Sequence, residues 1–160
     1  MTARDSRVDA ARRLIVQACL TENEYLATAV QAIEDSGALD HLDQAAMRLL
    51  PLLYRRVESA GIRTPSFPIL KGIYKRAWFE YSLQNAAGLR ACQELLVGID
   101  FLVVKGVALR EIAYRGDGAV RPVFDIDVLV HPSQRQLALQ RFLSAGFRLD
   151  EAKSVRRYLY

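Results

Sequence analysis

The sequence has few of the features that define special classes of protein. Only two of its 160 residues are cysteine, Cys19 and Cys92, which is too few for a disulfide framework or a zinc site. We therefore expect both to be reduced, buried thiols. The most apolar stretch, residues 95–104, is interrupted by Asp100 and is too short to cross a membrane. The N-terminal residues lead into a charged helical pattern rather than an apolar signal core. These absences favour a cytoplasmic protein without a membrane partner.

The composition is that of a globular protein with modest positive charge. Hydrophobic residues make up 51% of the chain and charged residues 25%, which excludes a disordered or low-complexity chain. The formal net charge of +4 permits an anionic partner such as a nucleotide or RNA. The arginine pairs are scattered along the chain, and we interpret them as solvated helix faces; they are Arg12-Arg13, Arg55-Arg56 and Arg156-Arg157.

The first two thirds of the chain show helical periodicity. Apolar residues recur at helical spacing over residues 8–19, and Thr21 is the predicted N-cap of a second helix. Asp40 is the predicted cap of a third helix, which Pro51 should kink or split because proline removes a backbone donor. Residues 69–97 form a further, longer helical pattern. We expect no flexible linker between these segments.

In the last third the periodicity changes. Residues 101–104 are a short apolar β-type run, and residues 106–114 return to helical spacing. Residues 123–130 read as a second strand, followed by a helix that Ser133 would cap. A third strand is predicted to begin at Phe147. The predicted order is therefore helices first, then strand, helix, strand, helix and strand.

Two aspartates in the second predicted strand are the first candidate functional residues. Asp125 and Asp127 are two positions apart, so in a strand they project from the same face. Two adjacent carboxylates in an apolar strand are costly unless a positive group lies between them. Magnesium is the natural partner, because it prefers oxygen ligands and keeps sites for water and phosphate. The apolar residues of the strand take the opposite face, where helices would bury them; they are Phe124, Ile126, Val128 and Val130.

A lysine and a glycine lie where the first strand is predicted to meet a helix. Backbone N–H groups at a helix N-terminus attract anions, and Gly106 would let a phosphate approach the backbone. Lys105 adds a positive charge for phosphate oxygens, and Arg121 could do the same or pair with the aspartates. A phosphate-binding turn beside two aspartates is the layout expected for metal-assisted phosphoryl or nucleotidyl transfer. The earlier dipeptide Lys71-Gly72 follows no β-type run, and we interpret it as ordinary helix.

These residues together resemble a known family. The segments Val104-Lys105-Gly106-Val107-Ala108-Leu109 and Asp125-Ile126-Asp127-Val128-Leu129-Val130, with Tyr114 and Arg121 between them, resemble a group of bacterial nucleotidyltransferases. That group belongs to the polymerase-β-like superfamily and is similar to the nucleotidyltransferase antitoxins of abortive-infection systems. The resemblance covers roughly residues 40–148. It implies an α+β fold, with a helical region over residues 1–98 and a nucleotidyltransferase-type α/β core with a mixed sheet over residues 99–160.

The resemblance also implies an activity. The enzyme would use Mg²⁺ to move a nucleoside monophosphate from a nucleoside triphosphate to an unidentified acceptor, which could be a protein, an RNA or a small molecule. By resemblance, Asp125 and Asp127 are the catalytic metal ligands. Lys105, Gly106 and Arg121 are the nucleotide-binding residues.

The superfamily takes a third carboxylate from a later strand. Asp150 and Glu151 are the late acidic candidates, and surface positions at a strand end are the more probable role for them. We therefore expect the chain to be a truncated form or a fragment. A catalytically incomplete nucleotide- or protein-binding module, similar to an antitoxin, is the alternative function. An RNA-binding helical protein is less favoured, because aromatic and basic residues do not interleave along the sequence.

Overall fold

A computed structural model describes residues 3–115 and 117–149 of the chain. Helices joined by short turns make up most of the described residues before position 98. A short 3₁₀ helix, Ala38–His41, separates the first two helices from the rest. The helices are α1 (Ala3–Leu20), α2 (Asn23–Ser36), α3 (Gln44–Met47), α4 (Leu50–Ser59) and α5 (Phe67–Leu95). None of the helices in this described part is long and apolar enough to cross a membrane.

The helix boundaries confirm the predicted split at proline and correct two predicted caps. Helix α4 begins at Leu50, so Pro51 lies in its first turn, where a missing N–H costs nothing. The prediction that Thr21 caps the second helix is wrong, because Glu22 occupies the N-cap position of α2. The cap expected from Asp40 is also wrong. Asp43 caps α3 instead, and its carboxylate accepts a hydrogen bond from the Ala46 N–H at 2.7 Å.

The apolar faces of α1, α2, α4 and the first turns of α5 meet in one core. Burial of these side chains is the main stabilising term for this part of the fold. The free thiol of Cys19 lies in the core, as the sequence predicts, and burial raises its pKa to about 11. The buried members of the core are Ala11, Ile15, Ala18, Cys19, Leu26, Val30, Ile33, Ala38, Leu50, Leu53, Tyr54, Val57 and Leu70.

The remaining described residues form a small α/β unit. Its elements are β1 (Phe101–Val104), α6 (Lys105–Ala113), β2 (Asp127–Val130), a 3₁₀ helix (Pro132–Gln134) and α7 (Arg135–Ser144). The second strand is shorter than predicted, because residues 123–126 pair with no other strand. Ser133 lies within the 3₁₀ helix rather than capping α7. Residues 147–149 form no strand, and Asp150 and Glu151 lie outside the described residues.

The two strands form an antiparallel sheet. Phe101 pairs with Val130 at one end, and Val104 pairs with Asp127 at the other. Helices and an antiparallel sheet in one chain confirm the α+β class. The described residues contain only this two-stranded sheet, so the mixed sheet expected from the sequence is not seen in them.

The last turns of α5 pack against the sheet. A second, smaller core forms there around Cys92, Leu96, Ile99 and Ala138. The half-buried side chains of Phe101 and of three residues near β2 cover it; those three are Ile126, Val128 and Val130. Helix α5 therefore contributes to both cores, and its far end holds the second strand in place.

Candidate nucleotide site

The turn between β1 and α6 joins the strand directly to the helix. Val104 has the extended conformation of an N-cap residue, and Lys105 follows with φ 55°, in the left-handed region. That conformation is strained for a residue with a side chain, and strain of this kind concentrates at functional sites. Lys71 and Gly72, by contrast, lie within α5 as the sequence predicts.

Gly106 permits a close approach between α6 and the segment that precedes β2. A Cβ atom at position 106 would lie 3.0 Å from Cγ1 of Val123. Val123 is buried, so it has little room to move away. Glycine at position 106 therefore lets the first turn of α6 lie closer to residue 123 than a side chain there would allow without a shift of Val123.

Asp127 lies against the same turn from the other strand. It is opposite Val104 in the sheet, and its Oδ1 atom accepts an ion-paired hydrogen bond from Lys105 Nζ at 2.9 Å. The lysine side chain is 65% exposed and the aspartate side chain 31% exposed. A bond this exposed contributes little to stability. The bond is informative about the geometry of the site, because it shows that a cation held near Asp127 also lies at the N-terminus of α6.

Contacts on both sides of residues 123–127 show which way each side chain points. The Phe124 ring meets the Tyr81 ring edge to face, with 4.9 Å between the centroids. A methyl group at Gly88 would overlap Cδ1 of Ile126. Both even-numbered side chains therefore face α5, and so do Val128 and Val130 through the second core. Phe124 still keeps 57% of its surface exposed, so the burial expected for it is wrong.

Two odd-numbered side chains of the same segment, those of Val123 and Asp127, face the Lys105-Gly106 turn. Val123 contacts Gly106, and Asp127 pairs with Lys105. Asp125 lies between them and is exposed. Two residues of extended chain span at most about 7 Å, so the Asp125 Cα lies within that distance of both neighbours. The alternation places the two aspartates on one side, the side of the glycine turn.

Arg121 is less closely tied to this cluster. It is exposed and lies in a bend that enters the segment from the buried residues 118–120. Among the described residues it makes no ion pair with Asp125 or Asp127. The structure therefore brings together Lys105, Gly106 and Asp127, places Asp125 beside them, and leaves Arg121 at the edge.

Asp117 anchors the loop before Arg121, and sequence reasoning missed this role. The Tyr74 hydroxyl donates one hydrogen bond that the two carboxylate oxygens of Asp117 share, at 3.0 and 2.9 Å, and Arg55 Nε lies 3.1 Å from Oδ2. The carboxylate also accepts from the Ala119 N–H at 3.2 Å, an Asx turn for which the Asp-Gly sequence was a local signal. Burial, and secondarily the Asp117 carboxylate, raises the pKa of Tyr74 to about 12.

The donor set suits a magnesium ion of the nucleotide-bound type. Asp125 and Asp127 offer hard carboxylate oxygens on one side of the chain, and a lysine ammonium already lies on one of them. Mg²⁺ is commonly held by one or two carboxylates together with substrate phosphates, so two carboxylates suffice for binding. No group of three or more potential metal ligands occurs among residues 3–115 and 117–149. Asp150 and Glu151, the late acidic candidates for a third carboxylate, lie outside that range.

Comparison with known proteins gives one match. The model of a protein family described as "uncharacterised nucleotidyltransferase" matches residues 40–159. The matched part begins before α3 and includes the glycine turn, both aspartates and Arg121. No curated protein and no solved structure matches the chain.

Proposed function

Because the chain belongs to the family of uncharacterised nucleotidyltransferases, we propose that it is a magnesium-dependent enzyme that transfers a nucleoside monophosphate from a nucleoside triphosphate to an acceptor. The observation that carries the proposal is the convergence of Asp127 and Lys105 at the N-terminus of α6, with a separation of 2.9 Å between Oδ1 and Nζ. The proposal is supported by this geometry because the Asp127 carboxylate, which could hold a metal, and a helix N-terminus are within reach of one small ligand.

The α6 N-terminus is the proposed triphosphate site. The first backbone N–H groups of a helix have no intrahelical partner and attract negative charge. Here α6 starts without a side-chain cap, so no side chain of its N-cap residue takes up those donors. Lys105 would turn from Asp127 to a phosphate oxygen when the metal takes its place. Arg121 would add charge from the edge of the site.

Asp125 and Asp127 are the proposed metal ligands. When bound there, Mg²⁺ would neutralise phosphate charge and lower the pKa of the acceptor hydroxyl. Asp125 is exposed and the Asp127 side chain is 31% exposed, which leaves room for phosphate and water beside them. Because Val123 is wedged against Gly106, the segment that carries the aspartates is fixed relative to the triphosphate site.

The reaction conserves every atom of the two substrates. An acceptor oxygen forms a bond to the α-phosphorus, and the bond from that phosphorus to the bridging oxygen breaks. Pyrophosphate leaves with the bonding electron pair, and the acceptor hydroxyl gives its proton to water. The role of this chain's residues is to align the acceptor oxygen and the leaving group with the phosphorus.

Calorimetric titration of the wild-type chain with a nucleoside triphosphate, with and without Mg²⁺, tests the proposal. We expect the substitutions Asp125→Asn and Asp127→Asn together to abolish metal-dependent binding. Asp100→Asn, an exposed aspartate just before β1, is the matched control and should bind like the wild type. Unchanged metal-dependent binding by the double variant would contradict the assignment.

A binding module without catalysis is the second candidate. It is favoured by the absence of a third metal-ligating carboxylate in the described part of the chain. Both candidates predict nucleotide binding, but only the enzyme releases pyrophosphate. A pyrophosphate assay with the same variants, over a panel of protein, RNA and small-molecule acceptors, separates them.

A further inference from the structure

A cavity of about 310 Å³ lies between the helices and the segment that carries Asp125. Its walls come from the end of α3, the middle of α5, and residues 122 and 124. All of its lining residues fall within the part of the chain that matches the family, residues 40–159. The cavity is therefore a feature of the same unit as the nucleotide site, and its volume is within the range of small-ligand pockets.

The cavity presents an aromatic ring over an apolar floor. Phe124 is 57% exposed, and its ring is fixed by the edge-to-face contact with the half-buried Tyr81. Ala77 and Pro51 are buried beneath it. Because the ring is already held in place, stacking of a second ring on it costs little conformational entropy. The site therefore fits a flat heterocycle.

Two arginines lie at the mouth of the cavity. The guanidinium of Arg48 lies over one face of the Phe124 ring, 4.7 Å from its centroid, so the face on which a second ring would stack is the opposite one. Arg76 is 79% exposed and is paired with Glu80 through its Nε atom at 2.8 Å, which leaves its terminal nitrogens directed elsewhere. Arginine forks suit phosphate oxygens. A ring site with two such cations beside it has the chemistry that recognises a nucleotide.

The fold thus assembles a combination that is absent along the sequence. Arg48 and Arg76 are far in sequence from Phe124, and the aromatic and basic residues do not interleave. In space they meet at one cavity. Stacking rings beside phosphate-binding cations are the standard means of binding single-stranded nucleic acid.

The direction of the side chains decides which nucleotide the cavity would hold. Phe124 faces α5, whereas Asp127, and by alternation along the chain Asp125, lies on the side of the Lys105-Gly106 turn. A triphosphate held at that turn lies across the segment from the cavity. A nucleotide of the acceptor can then occupy the cavity beside Phe124. The next nucleotide of the same nucleic-acid strand can reach Asp125, because Asp125 is the residue after Phe124.

We propose that this cavity binds a nucleotide unit of a single-stranded nucleic acid, which is the acceptor of the transferred nucleoside monophosphate. The proposal deepens the proposed function. It rests on that function only in assigning the bound strand the role of acceptor. Binding of the strand itself needs neither Mg²⁺ nor a nucleoside triphosphate, so the two claims are tested separately.

Fluorescence anisotropy with a short fluorescein-labelled single-stranded RNA, in buffer containing EDTA, provides the test. We expect Phe124→Leu to weaken binding roughly fivefold or more, the lower end of the effect of losing one stacked base. Phe124→Trp, which keeps a stacking surface, should bind at least as tightly as the wild type. Trp78→Leu is the control, because Trp78 is an exposed aromatic residue of α5 that does not line the cavity.

The salt dependence tests the arginines. Arg48→Met should make the slope of log affinity against log salt shallower by about 0.7, the contribution of one phosphate contact to single strands. Arg135→Met removes an exposed arginine outside the cavity and should leave the slope unchanged. Equal slopes for Arg48→Met and the wild type would overturn the placement of a phosphate at the mouth.

The remaining outcomes separate the two proposals. RNA binding that Phe124→Leu and Trp78→Leu affect equally, or no binding by the wild type, would overturn the cavity assignment. Loss of magnesium-dependent triphosphate binding in Phe124→Leu, with RNA binding intact, would show that the cavity holds the donor base instead. RNA binding that depends on Phe124 in a chain that binds no triphosphate would support the cavity and contradict the proposed enzyme.

Discussion

Two parts of the chain differ in how many of their side chains are buried. They are the helical half, residues 3–98, and the sheet half, residues 99–115 and 117–149. The first core holds thirteen buried residues, and the second holds four, of which only Ile99 and Ala138 belong to the sheet half. In the sheet, Leu102 and Leu129 are cross-strand partners, yet they are 65% and 59% exposed. The candidate site lies entirely in the more thinly packed half.

The difference shows where the geometry of the site comes from. A two-stranded sheet is marginally stable by itself, so something else must fix the aspartates. That support comes from three points of contact with other elements, namely Val123 with Gly106, Ile126 with Gly88, and Asp117 with Tyr74. Two of these contacts reach into α5. The helical half therefore acts as the scaffold on which the sheet half is positioned.

Removing a side chain from the first core should have the largest effect on stability. Leu53 is 1% exposed, and we expect Leu53→Ala to lower the free energy of unfolding by about 3 kcal/mol through lost burial and a cavity. Leu137→Ala on α7, where the leucine is 45% exposed, should cost less than about 1 kcal/mol. Urea denaturation followed by circular dichroism measures both. Equal losses would remove the contrast between the halves.

The second-largest effect on stability should come from the hydrogen bond between Tyr74 and Asp117, which links the two halves. Tyr74→Phe removes the donor to Asp117, a hydrogen bond to a charged acceptor, and should cost about 2 kcal/mol near neutral pH. Tyr25→Phe, at an exposed tyrosine of α2, is the control and should match the wild type. Denaturation of the three proteins in parallel gives the comparison.

The same tyrosine predicts an alkaline loss of stability. Folding raises the pKa of Tyr74 from 10.0 to about 12, so between these values the folded state keeps a proton that the unfolded state releases. The contribution is therefore complete below pH 10.0 and is lost as the pH rises toward about 12. The stability difference between the wild type and Tyr74→Phe should shrink over that interval. A difference that stays constant would show that the hydroxyl is not buried against Asp117.

A matched pair of glycines probes the turn of the candidate site. Gly72 has open space around it, so Gly72→Ala should stabilise α5 by about 1 kcal/mol. Gly106→Ala brings the same helical gain, but its Cβ would press on Val123, which should offset the gain by about 1–2 kcal/mol. Adding Val123→Ala to Gly106→Ala should relieve the clash. A thermodynamic cycle over these variants measures the coupling, and no coupling would mean that the two residues are not in contact.

The exposed face of the sheet should give the smallest effect. Leu102→Thr and Leu129→Thr introduce threonine, a β-branched residue common in strands, at two exposed positions. Together they should therefore change stability by less than about 0.5 kcal/mol. Thermal denaturation is sufficient to detect more. A loss well above that value would show that the two leucines are buried in the folded protein in solution.

Local periodicity explains what the sequence could predict. The β1 run, the helix after it and the alternation of Ile126, Val128 and Val130 toward a helix all depend on neighbours within a few positions. The shared side of Asp125 and Asp127 follows from the same alternation. These features could therefore be predicted from residue spacing without knowledge of the tertiary structure.

Contacts between distant parts of the chain could not be predicted in this way. The partners Tyr74 and Asp117 are 43 positions apart, and nothing in either local pattern points to the other. The ion pair between Arg12 of α1 and Asp43 could likewise not be predicted from a local pattern, although the cap that Asp43 provides is itself a local contact with Ala46. The aromatic cavity was missed for the same reason, since Arg48 and Phe124 meet only in the folded chain.

Helix α5 determines how the protein can be dissected. Its 29 residues extend for roughly 43 Å without a break, from the first core to the second. A recombinant fragment that started at residue 99 would keep both aspartates but would lose Gly88, Cys92 and Leu96, on which their strand rests. Any attempt to express the sheet half by itself should therefore begin upstream of Phe67, so that the whole of α5 is included.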